Sequence, residues 1–581
     1  MNIYIQINIM NCPKWINIVG GIIFLLVIMA LQASAGTDYY VDASNGNDNN
    51  NGLSESSTWK TISKLNGHIF LPGDSILFKR GEEWREQLTV SSSGSDGNPI
   101  TFGAYGKGGD PIINGSDLVT TWAFHSNSIY QKILKGWILG AVYEDDTMLN
   151  IVVWDTDVAT TFSGASAGCF SWDSGNEIMY VWSTDGADLD THTMEVGKRN
   201  CIYNAGRDYI TLENLHLIKA NAYGIQQVDG GDYCIVDNCT VQYNYINGML
   251  VMDISVESNN GTISNCTFSY NGASGIAFAY KNADWTIENN TCHHNAIYDD
   301  DETGALAHET TAGIRLWGDN AEITDFIIQN NTVYSNGIGK TGAAGIGIHV
   351  DECSTGHIIR YNHVYDNNNQ GIEIENTDSC QIYYNLAHGH TVQAWHGGII
   401  LYRDCDSNVI YNNVSYGNSY GIGIWSLDDG GITTATNNLI KNNICTGNVR
   451  KLYAVYGGDN DGTNGSGNLY SYNCFGAESS NFIEWGDGVD KSTYDAWETA
   501  YGSGTNSVEA DPLMTNPASG DFTLQTASPC IDAGINVGLT EDYAGNTVPY
   551  GGGVDIGAYE SEYVGSSDPL YAEISASLTS G

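Results

Sequence analysis

Apolar and polar positions alternate in short runs along the middle of the chain. Eight runs open on a glycine followed by an apolar residue: Gly224-Ile225, Gly248-Met249, Gly275-Ile276, Gly313-Ile314, Gly345-Ile346, Gly371-Ile372, Gly398-Ile399 and Gly421-Ile422. Successive glycines are 24, 27, 38, 32, 26, 27 and 23 residues apart. Period-two alternation predicts half-buried strands. A repeat in the twenties predicts stacked β coils, each touching only its neighbours, so that residues one repeat apart meet in space.

A second landmark precedes most of the glycine phrases: Asn238-Cys239, Asn265-Cys266, Asn289-Asn290, Asn330-Asn331, Asn412-Asn413 and Asn442-Asn443. Asparagine tolerates left-handed backbone and bonds neighbouring backbone through its amide. One turn of every coil is therefore expected to carry a structural ladder of asparagines. Cys239 and Cys266 share its phase, which predicts stacked thiols or, alternatively, a disulfide across coils.

The organisation follows. Lys14, the apolar stretch from Ile18 to Leu31 and Ala33-Ser34-Ala35 mark residues 1–35 as a secretory signal, with an uncleaved anchor as the plain alternative. Residues 36–117 are expected to form an N-terminal cap and first coils, 118–199 a β-rich insertion, and 200–448 the regular coils. Residues 449–560 are expected to cap the C-terminal end, and 561–581 to be a flexible tail. No segment after the signal reaches the roughly 20 apolar residues of a membrane span, so the expected location is secreted or cell-surface.

Lys and Arg number 22 against 68 Asp and Glu, a formal charge of −46. That excludes nucleic acid as a natural partner. It also repels an anionic glycan unless Ca²⁺ bridges the two or basic residues gather locally. No organic cofactor is expected.

The Asn-Asn-x-apolar and Gly-Ile-x-apolar phrases over 200–448 resemble the right-handed parallel β-helix superfamily that includes pectate lyases. Tyr39-Tyr40-Val41-Asp42 and Pro72-Gly73-Asp74-Ser75-Ile76 are similar to the openings of extracellular members. Asp511-Pro512-Leu513 and Asp555-Ile556-Gly557-Ala558-Tyr559-Glu560 resemble the C-terminal block of microbial surface proteins with this fold. The resemblance implies an all-β, right-handed parallel β-helix solenoid with caps and an insertion, and a cleft lined by the glycine-phrase strands. It does not fix chemistry, because lyases, hydrolases, epimerases and adhesins share the scaffold.

Alternation points positions two and four after each glycine outward. The fourth positions run Met252, Ala279, Trp317, His349, Glu375, Tyr402, Trp425; the second positions run Leu250, Ala277, Arg315, Gly347, Glu373, Ile400, Gly423. Trp317, Tyr402 and Trp425 are candidate stacking platforms for sugar rings, and Arg403 and Asp351, just beyond the stripe, candidate substrate contacts. Gly347 is expected to leave open space between Arg315 and Glu373. His349, Glu375, Glu373, Arg315 and Tyr402 are the candidate catalytic set, and ordinary cross-coil pairing is the plain alternative. The 38-residue spacing holds Asp299, Asp300, Asp301 and Glu302, which could supply oxygens to Ca²⁺ or form a solvated acidic wall.

Two chemistries fit a secreted, monomeric protein acting on polysaccharide. In β-elimination on a uronic-acid glycan, slightly favoured, His349 is the base, Arg315, Arg403 or Ca²⁺ neutralises the enolate, and Tyr402 protonates the leaving oxygen. In hydrolysis Glu373 and Glu375 flank the bond. The third reading is a non-catalytic glycan-binding or adhesion protein.

Overall fold

The structure is a computed structural model describing residues 36–138, 140–298, 311–318, 322–340, 344–392, 396–426, 435–456, 466–486 and 488–561. Three long, largely parallel sheets run its length, with 13, 11 and 14 strands among the described residues. Each regular coil visits them in the same order. One coil, for example, runs Thr286–Glu288 in sheet A, turns through Asn289 and Asn290, and continues as Thr291–His293 in sheet B. It then enters sheet C as Ala312–Trp317. The fold is the parallel β-helix that the repeat predicts.

The two asparagines of each pair divide the work. The first takes the left-handed backbone, with φ of +57° at Asn289, +56° at Asn330, +52° at Asn412 and +57° at Asn442. The second is buried and passes a hydrogen bond to the next coil. Nδ2 of Asn290 donates to Oδ1 of Asn331 (3.1 Å), Asn331 to Asn362, Asn362 to Asn385, Asn385 to Asn413, Asn413 to Asn443 and Asn443 to Asn473, all at 3.0 Å. Cys239 and Cys266 stand at the head of this file, the Cys266 amide donating to Oδ1 of Asn290 at 2.9 Å. All twelve described cysteines are free and buried, so the stacked-thiol reading holds among them. A second ladder links Asn244, Asn271, Asn295, Asn336 and Asn367 between sheets B and C. His390 continues it as a neutral acceptor, its pKa pushed down to about 3 by burial.

Inside the coils, sheet C presents Ile314, Leu316, Ile348, Val350, Ile372, Ile374, Ile399 and Leu401, all fully buried. Each such side chain contributes about 1.5–3 kcal/mol by leaving water. Residues 116–197 leave the helix as two small sheets of four and five strands.

The far end differs from expectation. Sheet C continues past residue 448 through Arg450–Tyr456 and Ile483–Trp485, coils that lack the Gly-Ile phrase. The end is closed by the helix Tyr494–Tyr501, capped by Thr493 and Gly502, whose Trp497 is buried against Tyr470 and Trp485. The following tract, expected to be the end cap, instead packs along the flank, with Phe522 and Ile556 against Tyr384, Leu386, Val414 and Ile444. Nδ2 of Asn412 donates to the carbonyls of Asp555 and Gly557 (3.1 Å each), and Nδ2 of Asn442 to that of Ile535 (2.8 Å). The first asparagine of a pair thus also docks the tail.

Asn362 donates to the carbonyl of Ile328 (2.9 Å) and accepts from the amide and side chain of Asn331 (3.0 Å each). Asn362→Ala leaves those buried groups unpaired and is expected to cost about 3 kcal/mol. A urea-unfolding midpoint equal to that of the wild type would contradict the ladder's role.

Candidate active site

Two outward columns on sheet C carry the candidate residues, and their register corrects the sequence reading at one coil. Ile314 pairs with Ile348, Arg315 with His349 and Trp317 with Asp351. His349 then pairs with Glu373 and Asp351 with Glu375. The glycine equivalent to Gly313 is therefore Gly347, not Gly345. A Cβ on either Gly313 or Gly347 would strike a valine of sheet B and the amide of a ladder asparagine, whereas Gly345 sits in a turn at φ +83°. The two-residue shift leaves every side chain on its face but changes its neighbours. No open space separates Arg315 from Glu373: His349 fills that place.

The second column now reads Ala277, Arg315, His349, Glu373, Ile400, Gly423, Tyr453 and Glu484. Its polar members are covered: His349 has 0%, Arg315 6% and Glu373 7% exposure, and Tyr453 and Glu484 are buried as well. The fourth column reads Trp317, Asp351, Glu375, Tyr402 and Trp425, half-buried except for Glu375. The five residues expected in one solvent-reached file thus divide. Trp317, Glu375, Tyr402 and Trp425 stay in file, while His349 lies beside it, under cover, and Asp351 takes its rung.

Glu375 is the hub. Nη1 of Arg403 lies 3.0 Å from its Oε1, and Nε2 of His349 lies 3.2 Å from its Oε2. The same imidazole nitrogen is 3.8 Å from Oε1 of Glu373. Arg403 is brought over by a left-handed residue (φ +64°) ending the strand Gly397–Tyr402, and its guanidinium rests on the Tyr402 ring at 5.1 Å. Arg315 lies over Trp317 at 5.7 Å. Tyr402 meets Trp425 edge-on at 5.4 Å, and Trp425 meets Tyr453 at 5.9 Å.

Burial shifts three of these groups. Desolvation raises the Asp351 carboxyl to about 6, helped by the charge of Glu375 and opposed by His349 and Arg315. Desolvation likewise raises Glu373 to about 7, with Glu375 and Asp351 adding to it and His349 and Arg403 opposing. Burial alone would lower His349, but its hydrogen bond to Glu375 and the surrounding carboxylates carry its pKa up. Two carboxyls biased toward the acid therefore face a third held between an imidazole and a guanidinium. That split is what an acid–base pair needs. Oδ1 of Asp351 and Nδ1 of His349 are buried with no hydrogen-bond partner among the described residues.

His349, Asp351 and Glu375 bring ligand-capable atoms within 4.8 Å of one another. Both Glu375 oxygens are also engaged, by Arg403 and His349. Asp299, Asp300, Asp301 and Glu302 lie outside the described residues. Tyr453, Tyr420, Arg450 and Glu484 extend the outer face beyond the glycine phrases, with Nε of Arg450 2.9 Å from Glu484. Alternation in Leu452-Tyr453-Ala454-Val455 carried that signal without a glycine to flag it.

Residues 200–386 and 312–488 match the family described as Right handed beta helix region. A lacto-N-biosidase of Bifidobacterium longum subsp. longum is 39% identical over 90 residues, 14% of this chain and 6% of that protein. The uncharacterized protein YwoF of Bacillus subtilis (strain 168) is 25% identical over 506 residues, 85% of this chain and 92% of that protein. The solved structure of XylC in complex with xylose has a TM-score of 0.54 at 17% identity, covering 70% of this chain and 75% of XylC. That likeness is one of fold.

For stability Asp351 and Glu373 act alike. Each contributes stability that is complete below about pH 4 and is lost as the pH rises through about 6 and about 7 respectively. Glu373→Gln is therefore expected to stabilise the protein at pH 8 by about 1–3 kcal/mol, with the gain shrinking as the pH falls and vanishing below about pH 4. An equal difference from wild type at both pH values, by thermal unfolding, would contradict the raised carboxyl.

Proposed function

We propose that this chain, a member of the right-handed parallel β-helix superfamily, is a carbohydrate-active enzyme that hydrolyses glycosidic bonds, with Asp351 as general acid and Glu375 as nucleophile. One observation carries the reading. Asp351 and Glu375 occupy adjacent rungs of one column, with carboxylate oxygens within 4.8 Å, and aromatic rings flank them on both sides. Retaining glycosidases set their two carboxyls about 5 Å apart, one protonated and one ionised. Here Arg403 and His349 support the anion on Glu375, and burial supports the proton on Asp351.

Trp317 on one side and Tyr402 with Trp425 on the other would bracket the scissile bond. With coils about 4.8 Å apart, the file from Trp317 to Trp425 spans about 19 Å, room for sugar rings on both sides of the acids. His349, without solvent exposure, acts as a positioning residue that holds Glu375 rather than touching substrate. The local likeness to a lacto-N-biosidase adds support for sugar hydrolysis, over a short part of that protein.

Elimination is the second reading. It asks His349 to take a proton from substrate, yet the imidazole is covered and committed to Glu375. Ca²⁺ dependence, a monomeric state and an extracellular location belong to the proposal, and the chelator arm of the test addresses the first.

The secreted form is incubated with neutral and uronic oligo- and polysaccharides, with and without a Ca²⁺ chelator. New reducing ends without unsaturated-product absorbance, and with retained anomeric configuration, are expected. Asp351→Asn and Glu375→Gln should each lower kcat by about 10²–10⁴-fold, while Trp425→Ala should act mainly on KM. Unsaturated product would replace this reading with elimination, and glycan pull-down without turnover would replace it with a binding protein.

A further inference from the structure

A second cluster of ionisable groups lies in the inserted module. Glu144 ends the strand Val142–Glu144 of the four-stranded sheet. Asp185 follows the strand Ile178–Trp182 of the five-stranded sheet. His192 lies between the short helix Leu189–Thr191 and the strand Met194–Gly197. Three separate segments thus converge on one point at the seam of the two sheets.

The imidazole is oriented from behind. Nδ1 of His192 is 2.7 Å from Oδ2 of Asp145, whose Oδ1 accepts from the Thr193 amide at 2.8 Å. Asp145 can hold this position because Asp145 and Asp146 form a two-residue hairpin turn, both with positive φ, and Glu144 pairs with Thr147 across it. With Asp145 on Nδ1, a metal-bound ring would carry its proton there and turn its Nε2 lone pair outward.

Nε2 is buried and makes no hydrogen bond among the described residues. It faces Oε1 of Glu144 at 3.5 Å and Oδ1 of Asp185 at 3.4 Å. Ligands held 2.0–2.1 Å from a tetrahedral zinc ion are about 3.4 Å from one another. The three ligand atoms lie within 4.8 Å of one another. Both carboxylates are set in place by neighbouring groups. Glu144, at 2% exposure, accepts from the Thr184 amide (2.9 Å), and Asp185 from the Ala187 amide (2.7 Å). Asp185 opens to solvent on the fourth side, with its side chain 58% exposed.

We propose that Glu144, Asp185 and His192 bind a zinc-class divalent transition metal, with Asp145 as the supporting carboxylate and water completing the coordination. An imidazole with two carboxylates suits zinc, cobalt or nickel, whereas calcium and magnesium take oxygen donors. The ion ties the tip of the five-stranded sheet to the edge of the four-stranded one, and so staples the insertion. It is independent of the sheet C site and its chemistry.

The test uses the full chain, stripped with EDTA and dialysed against Zn²⁺. One equivalent of zinc by elemental analysis is expected in the wild type, with one fewer in His192→Ala and in Asp185→Asn. Asp185→Asn is exposed and near-isosteric, so it keeps the fold where His192→Ala fails. Asp145→Asn should weaken zinc binding by about 10–100-fold in calorimetry, and zinc should raise the thermal midpoint of the wild type but not of Asp185→Asn. No stoichiometric zinc in the wild type would overturn the proposal and leave His192 as an imidazolium among carboxylates. Equal zinc content in wild type and Asp185→Asn would overturn it as well.

Discussion

Everything in this molecule depends on the in-register stacking of one coil on the next. Backbone hydrogen bonds between parallel strands set the spacing, but a bare ladder would tolerate slippage, since a two-residue shift keeps the same face buried. The buried asparagines remove that freedom. Each amide bonds the corresponding asparagine one coil away as well as the backbone of the previous coil, so a slipped coil would leave several buried polar groups unpaired. Glycine fixes the register on the other side of sheet C, because Gly313 and Gly347 lie against the second ladder with no room for a Cβ. The outer columns inherit their order from these inner constraints.

That inheritance makes the outer face of sheet C chemically unusual. Stacking carries three carboxyls, an imidazole and a guanidinium onto neighbouring rungs, and Arg403 adds a second guanidinium from a turn. Glu375, met by Arg403 and His349, is compensated where it stands. Asp351 and Glu373, further from the guanidinium of Arg403, are pushed toward the protonated form by desolvation. On an open surface neither Asp351 nor Glu373 would meet that desolvation.

Much of this was legible in the sequence, and the exceptions have physical reasons. The glycine and asparagine phrases specify the coil, because each residue type meets a backbone or packing demand that few others satisfy. The face of Trp317, Glu375, Tyr402 and Trp425 followed from alternation alone. The partner of each residue did not, because Gly345-Ile346 and Gly347-Ile348 both fit the phrase, and only the clash partners of a Cβ distinguish them. The cover over His349 was equally invisible, since it depends on what lies above the sheet rather than on period. The tail's place on the flank rests on Asn412 and Asn442, whose left-handed turns are readable but whose free amides could have met water instead.

Charge supplies the last step. The chain carries a formal −46, with only 22 lysines and arginines to offset it. A uronic-acid polymer would approach against that field and would find Arg403 already engaged with Glu375 and Arg315 nearly covered. A neutral sugar meets neither obstacle. It needs apolar ring faces, the role proposed for Trp317, Tyr402 and Trp425, and a proton donor beside an anion, the roles proposed for Asp351 and Glu375. An acidic surface opposes an anionic polymer and leaves the encounter with a neutral one unaffected, and on that ground hydrolysis is proposed here over elimination on the same scaffold.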